Sequence, residues 1–187
     1  YNTAGLINFW QELYRLKKDI KYLKWVVRSI RLFYSSGGIR FYPNGTLFSD
    51  AIDMIREAGL AAEADELTEL LRKHVTQIRT IGLCYPPHEV RFEQTIATPA
   101  VAIPAAFYDR IDADPEILRD IAVQLDVLSR FSGNQPDYRL NEIPIRHWDE
   151  FWFGKRHLYG DTFPHYLSCL TARAYWLYSK ISGEVIY

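Results

Sequence analysis

The sequence predicts an all-α protein built of repeated antiparallel helical hairpins. Apolar residues recur at helical spacing, and one stripe consists of Leu67, Leu70, Leu71, Val75 and Ile78. No convincing alternation of apolar and polar residues predicts a strand. The helices come in pairs, and the junctions between them echo one another along the chain. Such a recurrence is typical of helical-hairpin repeats.

The echo consists of an aromatic helix end, a polar turn and the start of another helix. It links residues 13–15 to 22–23, residues 107–109 to 117–118, and residues 177–179 to 186–187. The third echo stops where a helix should begin. We therefore expect residues 1–187 to form a single helical-hairpin domain that is a piece of a longer protein.

Boundary signals divide the chain into seven helices. The first two cover residues 3–16 and about 20–34, and a Ser-Ser-Gly-Gly segment ends the second. The third starts at an N-cap formed by Ser49-Asp50 and ends before Gly59, and the fourth covers 61–81. The fifth contains Pro99 and Pro104, which should kink or break it. Asp114-Pro115 starts the sixth, and the seventh covers about 163–182.

Composition limits the function classes. The chain has 187 residues and a formal net charge of −1, which gives no electrostatic reason to expect nucleic acid or an anionic membrane as a partner. The two cysteines, Cys84 and Cys169, form neither a disulfide framework nor a metal-spaced cluster. Phosphate-binding and zinc-protease motifs are absent, so we expect no metal and no cofactor. The compartment and the oligomeric state stay open.

The 141–166 stretch differs from the helices around it. Carboxylates, imidazoles, guanidinium groups and tryptophans alternate there without helical or strand period. Aromatic and charged residues on an irregular connection favour recognition of a polar ligand with apolar faces, such as a sugar. The alternative is an ordered connection whose aromatics pack and whose charges pair.

Two segments resemble a known superfamily. They are Tyr85-Pro86-Pro87-His88-Glu89 and the run from Arg146-His147-Trp148-Asp149 through Trp152-Phe153-Gly154-Lys155-Arg156 and Tyr159-Gly160-Asp161 to Pro164-His165-Tyr166. Together with the paired helices, these two segments resemble the six-hairpin glycosidase-like superfamily, whose fold is an (α/α)6 toroid. The resemblance implies that this chain is part of such a toroid, that its long connections gather at one rim, and that the rim binds a carbohydrate substrate.

Paired carboxylates would indicate a glycoside hydrolase. Hydrolysis needs a proton donor and usually a second carboxylate as base or nucleophile. Asp149 and Glu89 are the first candidates for these catalytic roles. Further acidic residues that could contact substrate are Glu93, Glu142 and Asp161.

Histidines offer a second route. His147 and His165 could abstract and return a proton, as a polysaccharide lyase or sugar epimerase requires, and His88 lies in the other unusual loop. A lyase also needs a cation beside the uronate carboxylate, for which the candidates are Arg146, Lys155 and Arg156.

Aromatic side chains complete the predicted site. Trp148, Trp152 and Tyr138 are candidate stacking surfaces for sugar rings. Trp10, Trp25 and Trp176 lie at core spacing and are interpreted as structural. A non-catalytic helical-hairpin scaffold that binds a partner is the alternative from another class.

Overall fold

The chain forms an all-α structure of helical hairpins. The computed structural model describes residues 3–37, 48–81, 94–129, 139–140, 143–144, 146–147, 162–163 and 168–185. These residues include the helices α1 (Thr3–Lys17), α2 (Lys21–Ser35), α3 (Phe48–Glu57), α4 (Ala61–Ile81), α5 (Gln94–Arg110), α6 (Pro115–Ser129) and α7 (Ser168–Ser182). The predicted boundaries mostly agree, although α7 begins later than its apolar pattern suggested.

Three successive helix pairs pack as hairpins. α1 packs on α2, α3 on α4, and α5 on α6, while α5 also packs closely on α7. The turn between α3 and α4 shows how such a pair is joined. Gly59 adopts a positive φ of 85°, and the Leu60 amide donates to the Ile55 carbonyl at 3.1 Å. Glycine favours this left-handed helix ending because it has no Cβ to clash.

The buried helix α5 is not broken at the two prolines that were predicted to kink or break it. Pro99 and Pro104 lie inside it, yet the helix continues from Gln94 to Arg110. All residues from Ala100 to Phe107 are buried, including Pro104. Because α3, α4, α6 and α7 all contact α5, packing offsets the backbone hydrogen bonds that the two prolines remove.

Ion pairs join neighbouring hairpins on their exposed sides. Arg31 of α2 pairs with Glu66 of α4, and Lys180 of α7 pairs with Asp109 of α5. Each pair joins helices that are two apart in the chain, and such helices run in the same direction in successive hairpins. Exposed pairs contribute little stability, about 0–1 kcal/mol each. Their main effect is to favour this register between the hairpins.

Two of the tryptophans predicted to be core residues are exposed. The accessible fraction is 44% for Trp25 and 60% for Trp176, whereas Trp10 packs partly against the core. The prediction was wrong for Trp25 and Trp176 because helical spacing identifies an apolar position without saying which element covers it.

Short strands occur where none was predicted. β1 (Arg139–Leu140) pairs antiparallel with β2 (Ile143–Pro144), and β3 (Arg146–His147) pairs parallel with β4 (Thr162–Phe163). Each strand has two residues, which is too short for alternation to be visible in the sequence. They leave the all-α class unchanged.

Candidate functional site

The long connections of the chain emerge at one end of the helix pairs. The turns within the three hairpins cover 18–20, 58–60 and 111–114, whereas the connections that follow α2, α4 and α6 cover 36–47, 82–93 and 130–167. Because the two helices of a hairpin run antiparallel, the short turns lie at one end, and the helix ends that border the long connections lie at the other. We call the latter end the loop rim.

Arg146 and His147 are the predicted site residues with a described backbone, and together they form β3. The other predicted residues lie outside the described residues. They are Glu89, Asp149 and His165 among the catalytic candidates, and His88, Glu93, Tyr138, Glu142, Trp148, Trp152, Lys155, Arg156 and Asp161 among the binding candidates. By their position in the chain, all of them belong to the connections that start from the loop rim.

The pairing of β3 with β4 brings two separate parts of the 141–166 stretch together. Arg146 lies opposite Thr162, and His147 lies opposite Phe163. His165 follows β4 by two positions in the sequence. The backbone of His147, which we predicted as a base, therefore lies beside that of Phe163, sixteen residues further along the chain. Sequence periodicity gives no sign of this pairing.

A buried polar pair lies between α2 and α4. The Tyr34 hydroxyl and His74 Nδ1 share a hydrogen bond of 3.2 Å, whose donor depends on the imidazole tautomer. The Phe48 ring packs edge-on against Tyr34, with ring centroids 5.6 Å apart. Tyr34 is the penultimate residue of α2 and Phe48 is the first of α3. This cluster therefore fastens both helix ends that flank the first long connection.

Burial keeps both members of this pair neutral. It lowers the pKa of His74 from 6.5 to about 4 and raises the pKa of the Tyr34 hydroxyl, because a charged form loses its hydration inside the core. His74 was not among the predicted site residues. Its signal was its place on the apolar stripe of α4, between Leu71 and Ile78, where the other stripe positions are aliphatic.

We expect the His74 imidazole to make the fold sensitive to acid. Its pKa is lower in the folded state than in the unfolded state, so the unfolded chain binds more protons below pH 6.5. Stability falls as the pH drops from about 6.5 towards 4, by about 3 kcal/mol from this group. Urea denaturation at several pH values measures the slope. His74→Gln should remove most of it, and an unchanged slope in that variant would contradict the assignment.

The described part of the chain also limits other kinds of site. No three His, Cys, Asp or Glu residues within it come close enough together to hold a metal ion. Among its helices, none combines the length and the apolar character needed to cross a membrane.

Among known proteins, one solved structure with a named activity is similar to this chain. No protein-family model matches it, and no curated protein matches it either. A solved structure named as a polysaccharide lyase is similar, with a TM-score of 0.78 and 34% sequence identity. The match covers 98% of this chain and 27% of that chain, so this chain spans about a quarter of the lyase's length. The similarity supports a toroid-like arrangement of the helical hairpins.

Proposed function

We propose that these residues belong to a carbohydrate-processing enzyme that cleaves an acidic polysaccharide by elimination. The observation that carries the proposal is the 34% identity, over nearly the whole chain, to a polysaccharide lyase with the same helical arrangement. We propose further that the chain is one part of a longer toroid of the six-hairpin type. Identity at this level is stronger support than fold alone, since one fold hosts many reactions.

Elimination requires a base and a cation at one sugar ring. The base removes the proton on the carbon next to the uronate carboxylate, the released electron pair forms a carbon–carbon double bond, and the glycosidic oxygen leaves with a proton. We assign the base to His147, because a neutral imidazole accepts a proton near neutral pH. We assign neutralisation of the carboxylate to Arg156, whose guanidinium can bind both carboxylate oxygens. Arg146 suits this role less, because it directly precedes His147 in β3 and successive residues of a strand face opposite ways.

The remaining predicted residues take supporting roles in this proposal. His165 returns a proton to the departing oxygen. Trp148, Trp152 and Tyr138 stack on the apolar faces of neighbouring sugar rings. Lys155 and Arg146 attract further carboxylates of the same polymer, since an acidic polysaccharide repeats its negative charge along its length.

The products of the reaction test the proposal. The full polypeptide that carries these residues is incubated separately with uronate-containing polysaccharides and with neutral glucans. We expect ultraviolet absorbance from the conjugated double bond to rise in step with new reducing ends, for uronate polymers only. Reducing ends without that absorbance would indicate hydrolysis by a pair such as Asp149 and Glu89. Deuterium uptake from solvent without cleavage would indicate epimerisation. No product from any polymer would favour the binding scaffold.

A further inference from the structure

The first hairpin carries an apolar face that the rest of the described chain leaves uncovered. Leu6, Phe9 and Leu16 of α1 are exposed by 45%, 52% and 75%, and the half-buried Leu13 lies between them. Positions 6, 9, 13 and 16 alternate steps of three and four, so they form one stripe along the helix. Such a stripe is the seam on which a second helix packs.

The neighbours of α1 explain why this stripe is open. α1 packs closely on α2 and touches α3 at Gln11, whose side-chain amide lies 3.6 Å from the Met54 sulfur. The central helix α5, by contrast, is covered by α3, α4, α6 and α7. Within the part of the chain that the structure describes, the first hairpin is thus packed on one side only, whereas the hairpin of α5 and α6 has neighbours on both.

Sugar binding is a poor account of this face. Trp25 is the exposed aromatic residue of α2, but two groups already lie against its ring. Trp10 stacks on it at 6.0 Å, and the Arg28 guanidinium lies 5.3 Å from its centroid. A pyranose needs a free aromatic face to stack on.

Charge narrows the chemistry of the partner. Residues 3–37 contain seven Lys and Arg residues against two acidic ones, Glu12 and Asp19. Three of the basic residues are already paired, with Glu12, Asp19 and Glu66. The other four leave the hairpin positively charged, so we expect a partner on the stripe to carry acidic groups, because like charges across an interface repel.

We propose that this face, defined by Leu6, Phe9, Leu13 and Leu16, receives another helical hairpin of the same polypeptide, with acidic residues beside its apolar stripe. The similar lyase chain is long enough to contain further hairpins, since the match covers 27% of it. The packing is the same kind that joins the hairpins described above. The inference rests on the toroid-like arrangement and is independent of the elimination chemistry.

The test compares the 187-residue chain with the full polypeptide. Phe9→Ser should change the melting temperature of the 187-residue chain by less than about 2 °C, because half of the ring is already in water. In the full polypeptide the same change should lower it by about 5 °C or more. The matched control is Asn8→Ser, which changes an exposed residue beside the stripe. It should leave the melting temperature of both proteins unchanged.

Two further readouts make the result decisive. A thiol introduced by Leu16→Cys should react with a maleimide at least tenfold more slowly in the full polypeptide, as measured on its peptide by mass spectrometry. Equal labelling rates, or equal melting shifts in both contexts, would overturn the proposal. So would a stable dimer of the 187-residue chain that Phe9→Ser dissociates, since the occupant would then be a second copy.

Discussion

Replacing His147 by alanine is expected to reduce elimination activity by about 10²–10⁴-fold, the usual contribution of a positioned general base. The melting temperature should stay unchanged, since β3 and β4 are held by backbone pairing, which alanine preserves. The measurement is the initial rate of double-bond formation at saturating uronate polymer.

The matched comparison is Asp149→Asn. In the proposed elimination the base is His147 and not the Asp149 carboxylate. Asp149→Asn should therefore reduce the elimination rate far less than His147→Ala. The reverse order, with Asp149→Asn and Glu89→Gln both inactive and His147→Ala active, would contradict the elimination proposal and favour hydrolysis by two carboxylates.

Replacing Phe48 by alanine is expected to destabilise the chain by about 3–5 kcal/mol, the range for a deleted buried aromatic ring. Phe48 is fully buried and packs edge-on against Phe33 and Tyr34 with centroids 5.2 Å and 5.6 Å apart. Its loss opens a cavity where α2, α3 and α4 meet, under the first long connection.

Phe9→Ala provides the control for Phe48→Ala within the 187-residue chain. It removes the same ring from a site that is 52% exposed, so it should cost no more than about 1 kcal/mol. Denaturant midpoints measure both variants. Similar losses for the two would contradict the assignment of Phe48 to the core at the start of α3.

Helical periodicity predicted most of this fold, because the helices bury one face and expose the other. The α4 boundaries agree with the prediction at both ends. Gly59 follows the end of α3, as predicted, and has a positive φ. Local rules failed where tertiary packing decides. α5 tolerates two prolines inside the core, and Trp25 and Trp176 lie on outer surfaces although their spacing indicated burial.

The sequence predicts where the candidate site lies along the chain, and it gives no geometry for that site. Unpatterned charged and aromatic residues indicated the connections of the loop rim. The pairing of His147 with Phe163 joins residues far apart in sequence, and a two-residue ladder has no periodicity to detect. The buried pair of Tyr34 and His74 was hidden for a different reason, since each residue alone fits an ordinary helix face.

A crystal structure of the His147→Ala full polypeptide with a bound uronate oligosaccharide tests the central claim most directly. Our account predicts that the proton beside the uronate carboxylate points at the position vacated by the imidazole. It also predicts that the Arg156 guanidinium contacts that carboxylate and that Trp148 or Trp152 stacks on a neighbouring ring. An oligosaccharide whose glycosidic bond lies between Glu89 and Asp149, with residue 147 out of reach, would contradict it.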